Sequence, residues 1–239
     1  MTELTLTRPD AHLRGTATGT GPTVLLLHAG GETRGVWEPV AAALNQRMAS
    51  PTPATPGRNY PPRPVRTVAF DLRGHGDSSG QATTLQAIAE DVTAMIHSEP
   101  SPVVVVGASL GGLAAIASLA DPGVAQVVAG LILVDVVPNP DPARVRAWLD
   151  DRGLRNHDPL VEDILNHSPE LQATARTLEL PILLVRAGPT SPLTDDQVDH
   201  FRTSNPAVTV TQLSAAGHLI ARDAPAELAR IIADFQISC

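Results

Sequence analysis

Short apolar runs alternate along the chain with longer segments whose apolar residues recur at helical spacing. Continuous apolar runs predict strands buried on both faces, and the clearest are residues 23–27 and the four valines at 103–106. Strands that alternate with helices indicate a mostly parallel sheet covered by helices on both faces. The predicted strands are residues 4–7, 12–16, 23–27, 65–71, 103–106, 129–135, 181–186 and 208–213, and the main predicted helices are 37–44, 84–97, 109–119 and 225–235. The pattern therefore predicts an α/β protein with an eight-stranded sheet, in which 4–7 and 12–16 are edge strands.

Two segments depart from this alternation. Residues 45–64 carry six prolines, which predicts an inserted surface loop rather than a helix. Residues 138–179 lie between two predicted strands but have helical patterns throughout, for example at 142–151 and 159–167. We interpret 138–179 as a helical lid or cap inserted into one core, which comprises residues 1–137 and 180–239.

Composition and charge exclude several classes of function. The 239 residues, 43% hydrophobic, suffice for one sizeable core. A net charge of −8 disfavours nucleic acid as a partner. The basic residues are all arginine, so no lysine can serve as a nucleophile. The single cysteine excludes an intrachain disulfide, and the scattered histidines make a metal site improbable, so we expect no cofactor.

The apolar stretches are interrupted and too short to span a bilayer, and the first residues lack the features of a secretion signal. We therefore expect no membrane partner and a cytoplasmic location. A monomer and a homodimer are both compatible with the sequence.

Residues 107–111, Gly-Ala-Ser-Leu-Gly, match the pattern G-x-S-x-G. The motif directly follows the four-valine strand and leads into a helix of small residues, which is the strand–turn–helix setting of a nucleophile elbow. Ser109 would then be an exposed nucleophile at a helix N-terminus, where the dipole favours a developing oxyanion. The alternative to a catalytic role is that Ser109 is only the N-cap of that helix.

A serine nucleophile needs a base, because its hydroxyl does not ionise at neutral pH. His218 follows the last predicted strand and precedes the last helix, which puts it at the carboxyl end of the sheet beside the elbow. The backbone N–H groups of Gly30 and Leu110 are the expected oxyanion donors. We expect His28 to fix the loop that carries Gly30, and His75 to be an ordinary turn residue.

Four segments in this order resemble the α/β-hydrolase superfamily, especially small lid-bearing bacterial esterases, lactonases and cofactor-free haloperoxidase-like members. They are residues 28–31 (His-Ala-Gly-Gly), 71–76 (Asp-Leu-Arg-Gly-His-Gly), 107–111 and 216–218 (Ala-Gly-His). The resemblance covers essentially the whole chain and implies an eight-stranded α/β-hydrolase fold with a serine nucleophile.

The chain departs from that family at the acid that orients the histidine. In most relatives this acid is an aspartate after the next-to-last strand, where this chain has Ser191. Three explanations remain open. Asp135 ends the preceding strand, as the acid does in certain relatives, although it could equally cap the first turn of the lid. Asp195 or Asp196 could fold back, or the protein works with a Ser–His dyad or has lost hydrolysis.

The sequence thus predicts a serine hydrolase that acts on carboxylic ester or lactone bonds of a small, hydrophobic substrate through an acyl-enzyme on Ser109. With 3% aromatic residues the pocket should be mainly aliphatic, with Trp148 contributing from the lid. The alternatives are a slow or non-hydrolytic protein on the same scaffold: a small-ligand sensor, or a cofactor-free enzyme of carbon–carbon cleavage or perhydrolysis.

Overall fold

The computed structural model describes residues 1–49, 64–153 and 159–236. Within them the strands are β1 (Thr2–Thr7), β2 (His12–Gly19), β3 (Thr23–Leu27), β4 (Arg66–Phe70), β5 (Val103–Ala108), β6 (Val128–Val134), β7 (Ile182–Ala187) and β8 (Val208–Leu213). The α-helices are α1 (Glu38–Ala49), α2 (Leu85–His97), α3 (Leu110–Ser118), α4 (Pro122–Ala125), α5 (Pro142–Asp151), α6 (Pro159–Asn166), α7 (Ser168–Thr177), α8 (Asp195–Ser204), α9 (Ile220–Asp223) and α10 (Pro225–Gln236). A 3₁₀ turn, Arg34–Trp37, precedes α1.

The strands form one sheet in the order β1-β2-β4-β3-β5-β6-β7-β8. The pairings β1–β2 and β2–β4 are antiparallel, and from β4 to β8 every pairing is parallel. Parallel strands end at the same edge of a sheet, so the loops after β3 to β8 meet there. This edge carries the candidate site.

Apolar side chains on the two faces of the sheet build two cores. In β5, Val103 and Val105 pack into one core, whereas Val104 and Val106 pack into the other. Successive side chains of a strand point to opposite faces, so a strand covered on both sides must be apolar at every position. β5 lies between β3 and β6 and is covered on both faces, which confirms the central strand predicted from the four-valine run. The predicted α/β class is confirmed as well.

Two predictions about the N-terminal half were wrong. The second strand is not an edge strand, since β2 lies between β1 and β4 and pairs with both. Helix α1 continues to Ala49, so residues 45–49 are helical rather than part of a loop, because the first proline of that segment comes only at Pro51. Residues 50–63, the rest of the predicted proline-rich loop, lie outside the described residues.

Between β6 and β7 lie α5, α6 and α7, so most of the described part of segment 138–179 is helical, with bends and turns before and between the helices. We call it the helical insertion; its function as a lid remains a prediction. No helix of the described ranges has both the length and the apolar character needed to cross a membrane.

Candidate active site

Ser109 stands in a sharp turn between β5 and α3. Its backbone has φ 45° and ψ −112°, a left-handed φ that few residues other than glycine adopt. Glycines on both sides permit the turn, because a Cβ at Gly107 would lie 2.5 Å from the Cα of Gly112. A Cβ at Gly111 would lie 2.6 Å from the carbonyl oxygen of Leu27 on β3. This is the geometry that a nucleophile elbow requires.

Asp135 follows the last residue of β6 and also has a positive φ, 51°. Its backbone N–H donates to the carbonyl of Val185, at 2.8 Å, which continues the pairing of β6 with β7. The side chain is buried, and its Oδ1 accepts a hydrogen bond of 2.8 Å from the backbone N–H of Ala187. The carboxylate is thereby turned toward the loop that follows β8.

His218 lies in that loop, and its Nδ1 is 2.8 Å from Oδ2 of Asp135. A carboxylate can only accept, so Nδ1 carries the proton and Nε2 of the neutral imidazole remains as an acceptor. Both side chains are buried. Asp223 stabilises this loop, because its Oδ2 accepts a hydrogen bond of 2.9 Å from the N–H of Gly217.

The other acids considered for this role lie elsewhere. Asp195 and Asp196 occupy the first turn of α8, and Asp195 forms an ion pair with Arg186. Ser191, at the usual position of the acid, donates a hydrogen bond to the carboxylate of Asp135, with Oγ 2.8 Å from Oδ1 and 2.9 Å from Oδ2. The turn after β7 and the loop after β8 therefore both contact the carboxylate of Asp135.

His28 ties the end of β3 to the end of β4. Its Nε2 accepts a hydrogen bond of 3.0 Å from the N–H of Leu72, so Nδ1 is the donor to the carbonyl of Ala29, at 2.8 Å. Burial lowers the pKa of His28 to about 4, which keeps the ring neutral at neutral pH. These bonds hold the loop that carries Gly30. Two residues further on, burial raises the pKa of Glu32.

All six predicted site residues line one cavity of about 580 Å³, which lies between the carboxyl edge of the sheet and the helical insertion. They are Gly30, Ser109, Leu110, Asp135, Trp148 and His218. The remaining lining is largely aliphatic; the insertion contributes Val145, Leu149, Leu160, Val161, Ile164 and Leu165. The cavity is suited to an apolar ligand.

The sequence analysis missed several polar residues of this cavity. His75, Gln81 and Thr83 line it from the loop after β4, and Gln197 lines it from α8. The one available signal was their position after strands whose carboxyl ends form the site edge. His75 also donates from Nδ1 to the carbonyl of Arg73, at 3.0 Å, which is consistent with the turn role expected for it.

No metal centre accompanies the cavity in the described part of the chain, since no three His, Cys, Asp or Glu side chains there come together as metal ligands. The chemistry available at this edge is that of a hydroxyl, an imidazole, a carboxylate and backbone N–H donors. Ser109 lines the same cavity as an imidazole that a carboxylate orients, and a serine hydroxyl that delivers its proton to such an imidazole can attack a carbonyl.

The model of the alpha/beta hydrolase family matches residues 24–231. The chain belongs to this family. Among solved structures, an esterase from Thermogutta terrifontis matches with a TM-score of 0.75 and 19% identity over 100% of this chain and 99% of that chain. A loop variant of a haloalkane dehalogenase from Bradyrhizobium elkanii matches with a TM-score of 0.75 and 16% identity over 99% and 97%. These likenesses show the fold.

Among curated proteins, protein phosphatase methylesterase 1 of Mus musculus is 33% identical to this chain over 124 residues. The human protein of the same name is 31% identical over 124 residues. In both cases the match spans 49% of this chain and only 28% of the relative's own length. The family and these relatives together support a hydrolase.

Proposed function

We propose that this protein is a serine hydrolase that cleaves carboxylic ester or lactone bonds through an acyl-enzyme on Ser109. The observation that carries the proposal is the hydrogen bond between Asp135 and His218 at the cavity that Ser109 also lines. A carboxylate that fixes the tautomer of the histidine leaves Nε2 free to act as a base. The esterase and the methylesterases among the similar proteins are consistent with a carboxylic ester as substrate.

In the first step Nε2 of His218 takes the hydroxyl proton of Ser109 while Oγ attacks the carbonyl carbon. The N–H groups of Gly30 and Leu110 hold the resulting oxyanion, and Asp135 stabilises the imidazolium. The tetrahedral intermediate expels the alkoxide, which receives the proton from Nε2 and leaves as the alcohol. Water then attacks the acyl-enzyme with the same proton transfers and releases the carboxylic acid and the free serine. For a lactone the product is one hydroxy acid. No cofactor takes part in these steps.

The substrate is proposed to be small and hydrophobic, because the lining is mainly aliphatic and no arginine contributes to it within the described residues. A neutral acyl group therefore suits the cavity better than an anionic one. The helical insertion would act as the lid over this group, with Trp148 reaching the site from α5.

The main reason to consider a sensor or a non-hydrolytic enzyme was that Ser191 stands where the acid usually is. The hydrogen bond between Asp135 and His218 supports hydrolysis over these alternatives, because it offers the histidine a carboxylate from the neighbouring strand. We therefore propose hydrolysis and keep no second function.

The proposal is tested by measuring p-nitrophenyl butyrate hydrolysis with the wild type, Ser109→Ala and the control Ser101→Ala. Ser101 is exposed and precedes β5, at the opposite end of that strand from Ser109. We expect Ser109→Ala to abolish hydrolysis and Ser101→Ala to match the wild type. Equal rates for all three proteins would disprove the nucleophile.

A further inference from the structure

Ser191 is buried in the turn between β7 and α8. Its backbone N–H donates to the carbonyl of Gly188, at 2.9 Å, and this closes the turn. Its hydroxyl lies among three polar atoms: the two carboxylate oxygens of Asp135 and, at 3.0 Å, the backbone nitrogen of Leu193.

These contacts determine where the hydroxyl proton of Ser191 points. The N–H of Leu193 can only donate, so it occupies a lone pair of Oγ. The hydroxyl has a single proton, and the only acceptor in this group is the carboxylate of Asp135. Ser191 therefore donates to Asp135, in a chain that runs from Leu193 N–H through Oγ–H to the carboxylate.

The carboxylate of Asp135 then receives three donors, namely Ala187 N–H, the Ser191 hydroxyl and His218 Nδ1–H. A buried carboxylate is strongly destabilising unless hydrogen bonds satisfy it. Hydrogen bonds to an ionised carboxylate are also stronger than those between two neutral groups. Donors on the Oδ1 side also restrict rotation about Cβ–Cγ, which keeps Oδ2 directed at His218. No carboxylate from the Ser191 turn is needed, because that turn supplies a donor.

We propose that Ser191 is a positioning residue that acts on the reaction through Asp135, by holding its carboxylate in the orientation that His218 requires. This inference rests on the proposed function of Ser109, His218 and Asp135. Ser191 contacts neither the nucleophile nor the reacting carbonyl in this role, so its removal should lower kcat and leave KM nearly unchanged.

The test is a double-mutant cycle with p-nitrophenyl butyrate, using Ser191→Ala, Asp135→Asn and the double variant. In the wild-type background Ser191→Ala is expected to lower kcat about tenfold, as the loss of one hydrogen bond to a charged group implies. In the Asp135→Asn background it should change kcat less than about twofold, since residues that act through one another are not additive. A full tenfold loss in both backgrounds would overturn the proposal, and so would an unchanged kcat in Ser191→Ala.

Two further comparisons separate this role from a general effect on folding. The pair Ser191→Thr and Ser191→Val differs by one hydroxyl at similar shape, so Thr should keep most of the wild-type kcat and Val should show the decrease of about tenfold expected for Ser191→Ala. Ser118→Ala removes another buried hydroxyl, which donates to the carbonyl of Ala115 at 2.8 Å, and should leave kcat unchanged. Equal kcat values for the Thr and Val variants would contradict the proposal.

Proton NMR provides a readout that needs no activity. The Nδ1–H of His218 should give a far-downfield resonance that disappears in Asp135→Asn and is shifted or broadened in Ser191→Val. If the protein hydrolysed no ester in a Ser109-dependent way, the proposed function would fail while this resonance still tested the link from Ser191 to His218. A resonance that is identical in the wild type and Ser191→Val would overturn the link.

Discussion

The indole of Trp148 packs against the imidazole of His218 with ring centroids 4.7 Å apart and an interplanar angle of 68°. The guanidinium of Arg152 lies 4.1 Å from the centroid of the same indole. Trp148 belongs to α5 in the helical insertion, whereas His218 belongs to the loop after β8. The position of the insertion is thus coupled physically to the proposed base.

We predict that Trp148→Ala lowers kcat/KM for p-nitrophenyl butyrate by roughly threefold to tenfold. Edge-to-face aromatic pairs contribute about 0.5–1.5 kcal/mol beyond their buried area, and their loss would leave His218 less well held. Trp148→Phe keeps an aromatic ring and should retain most of the activity. Steady-state kinetics on both variants check this, and a Trp148→Ala enzyme as active as the wild type would refute it.

The aliphatic lining predicts a dependence on acyl length. Each buried methylene contributes about 0.8 kcal/mol, so kcat/KM should rise by up to about fourfold per added CH₂ until the cavity is filled. The measurement is a series of p-nitrophenyl esters from acetate to decanoate. Rates that are flat along the series, or a clear preference for charged acyl groups, would contradict a hydrophobic substrate.

A matched pair of variants tests whether the helical insertion causes the dependence of kcat/KM on acyl length. Leu149→Gln, which places an amide on the insertion side of the cavity, should flatten the rise with chain length. Leu4→Gln makes the same change on β1, at the far edge of the sheet, and should leave the series unchanged. If both variants behaved alike, the insertion would not form the acyl site.

His28 predicts a pH dependence of stability. Its pKa is about 4 in the folded protein and 6.5 when unperturbed, so the unfolded state binds the proton first as pH falls. The stability associated with neutral His28 is complete above about pH 6.5 and is lost as pH falls toward 4, by about 3 kcal/mol in full. Urea unfolding between pH 7 and 4 should therefore show a steeper loss for the wild type than for His28→Gln, which cannot protonate. The exposed His12→Gln is the control and should follow the wild type. Parallel curves for the wild type and His28→Gln would contradict the prediction.

Much of the site could be predicted because local sequence carries its geometry. A small-residue motif between a β-branched strand and a helix leaves few alternatives to the turn at Ser109. Asp135 was a candidate because an acid that ends an apolar strand must find a partner. Its bond to His218 joins residues far apart in the chain, so it emerged only once the loops after β6 and β8 were placed together.

The contribution of Ser191 could not be predicted from the sequence, because the sequence shows only that a serine stands where most relatives have an aspartate. Its contact with Asp135 depends on how the turn after β7 closes over the end of β6, and hydropathy patterns do not encode this. The predicted end of α1 was wrong for a different reason. The proline segment was assumed to disrupt the residues before it, although Pro51 lies beyond the last described residue of that helix.

The most direct test of the whole account is the rate of p-nitrophenyl butyrate hydrolysis by Asp135→Asn compared with the wild type. The control is Asp121→Asn, at an exposed cap of α4. If Asp135 orients His218, kcat/KM should fall by at least about a hundredfold in Asp135→Asn, and by up to ~10⁴-fold, while the control matches the wild type. An Asp135→Asn enzyme that keeps the wild-type rate would contradict the account, because Ser109 and His218 would then work without this carboxylate.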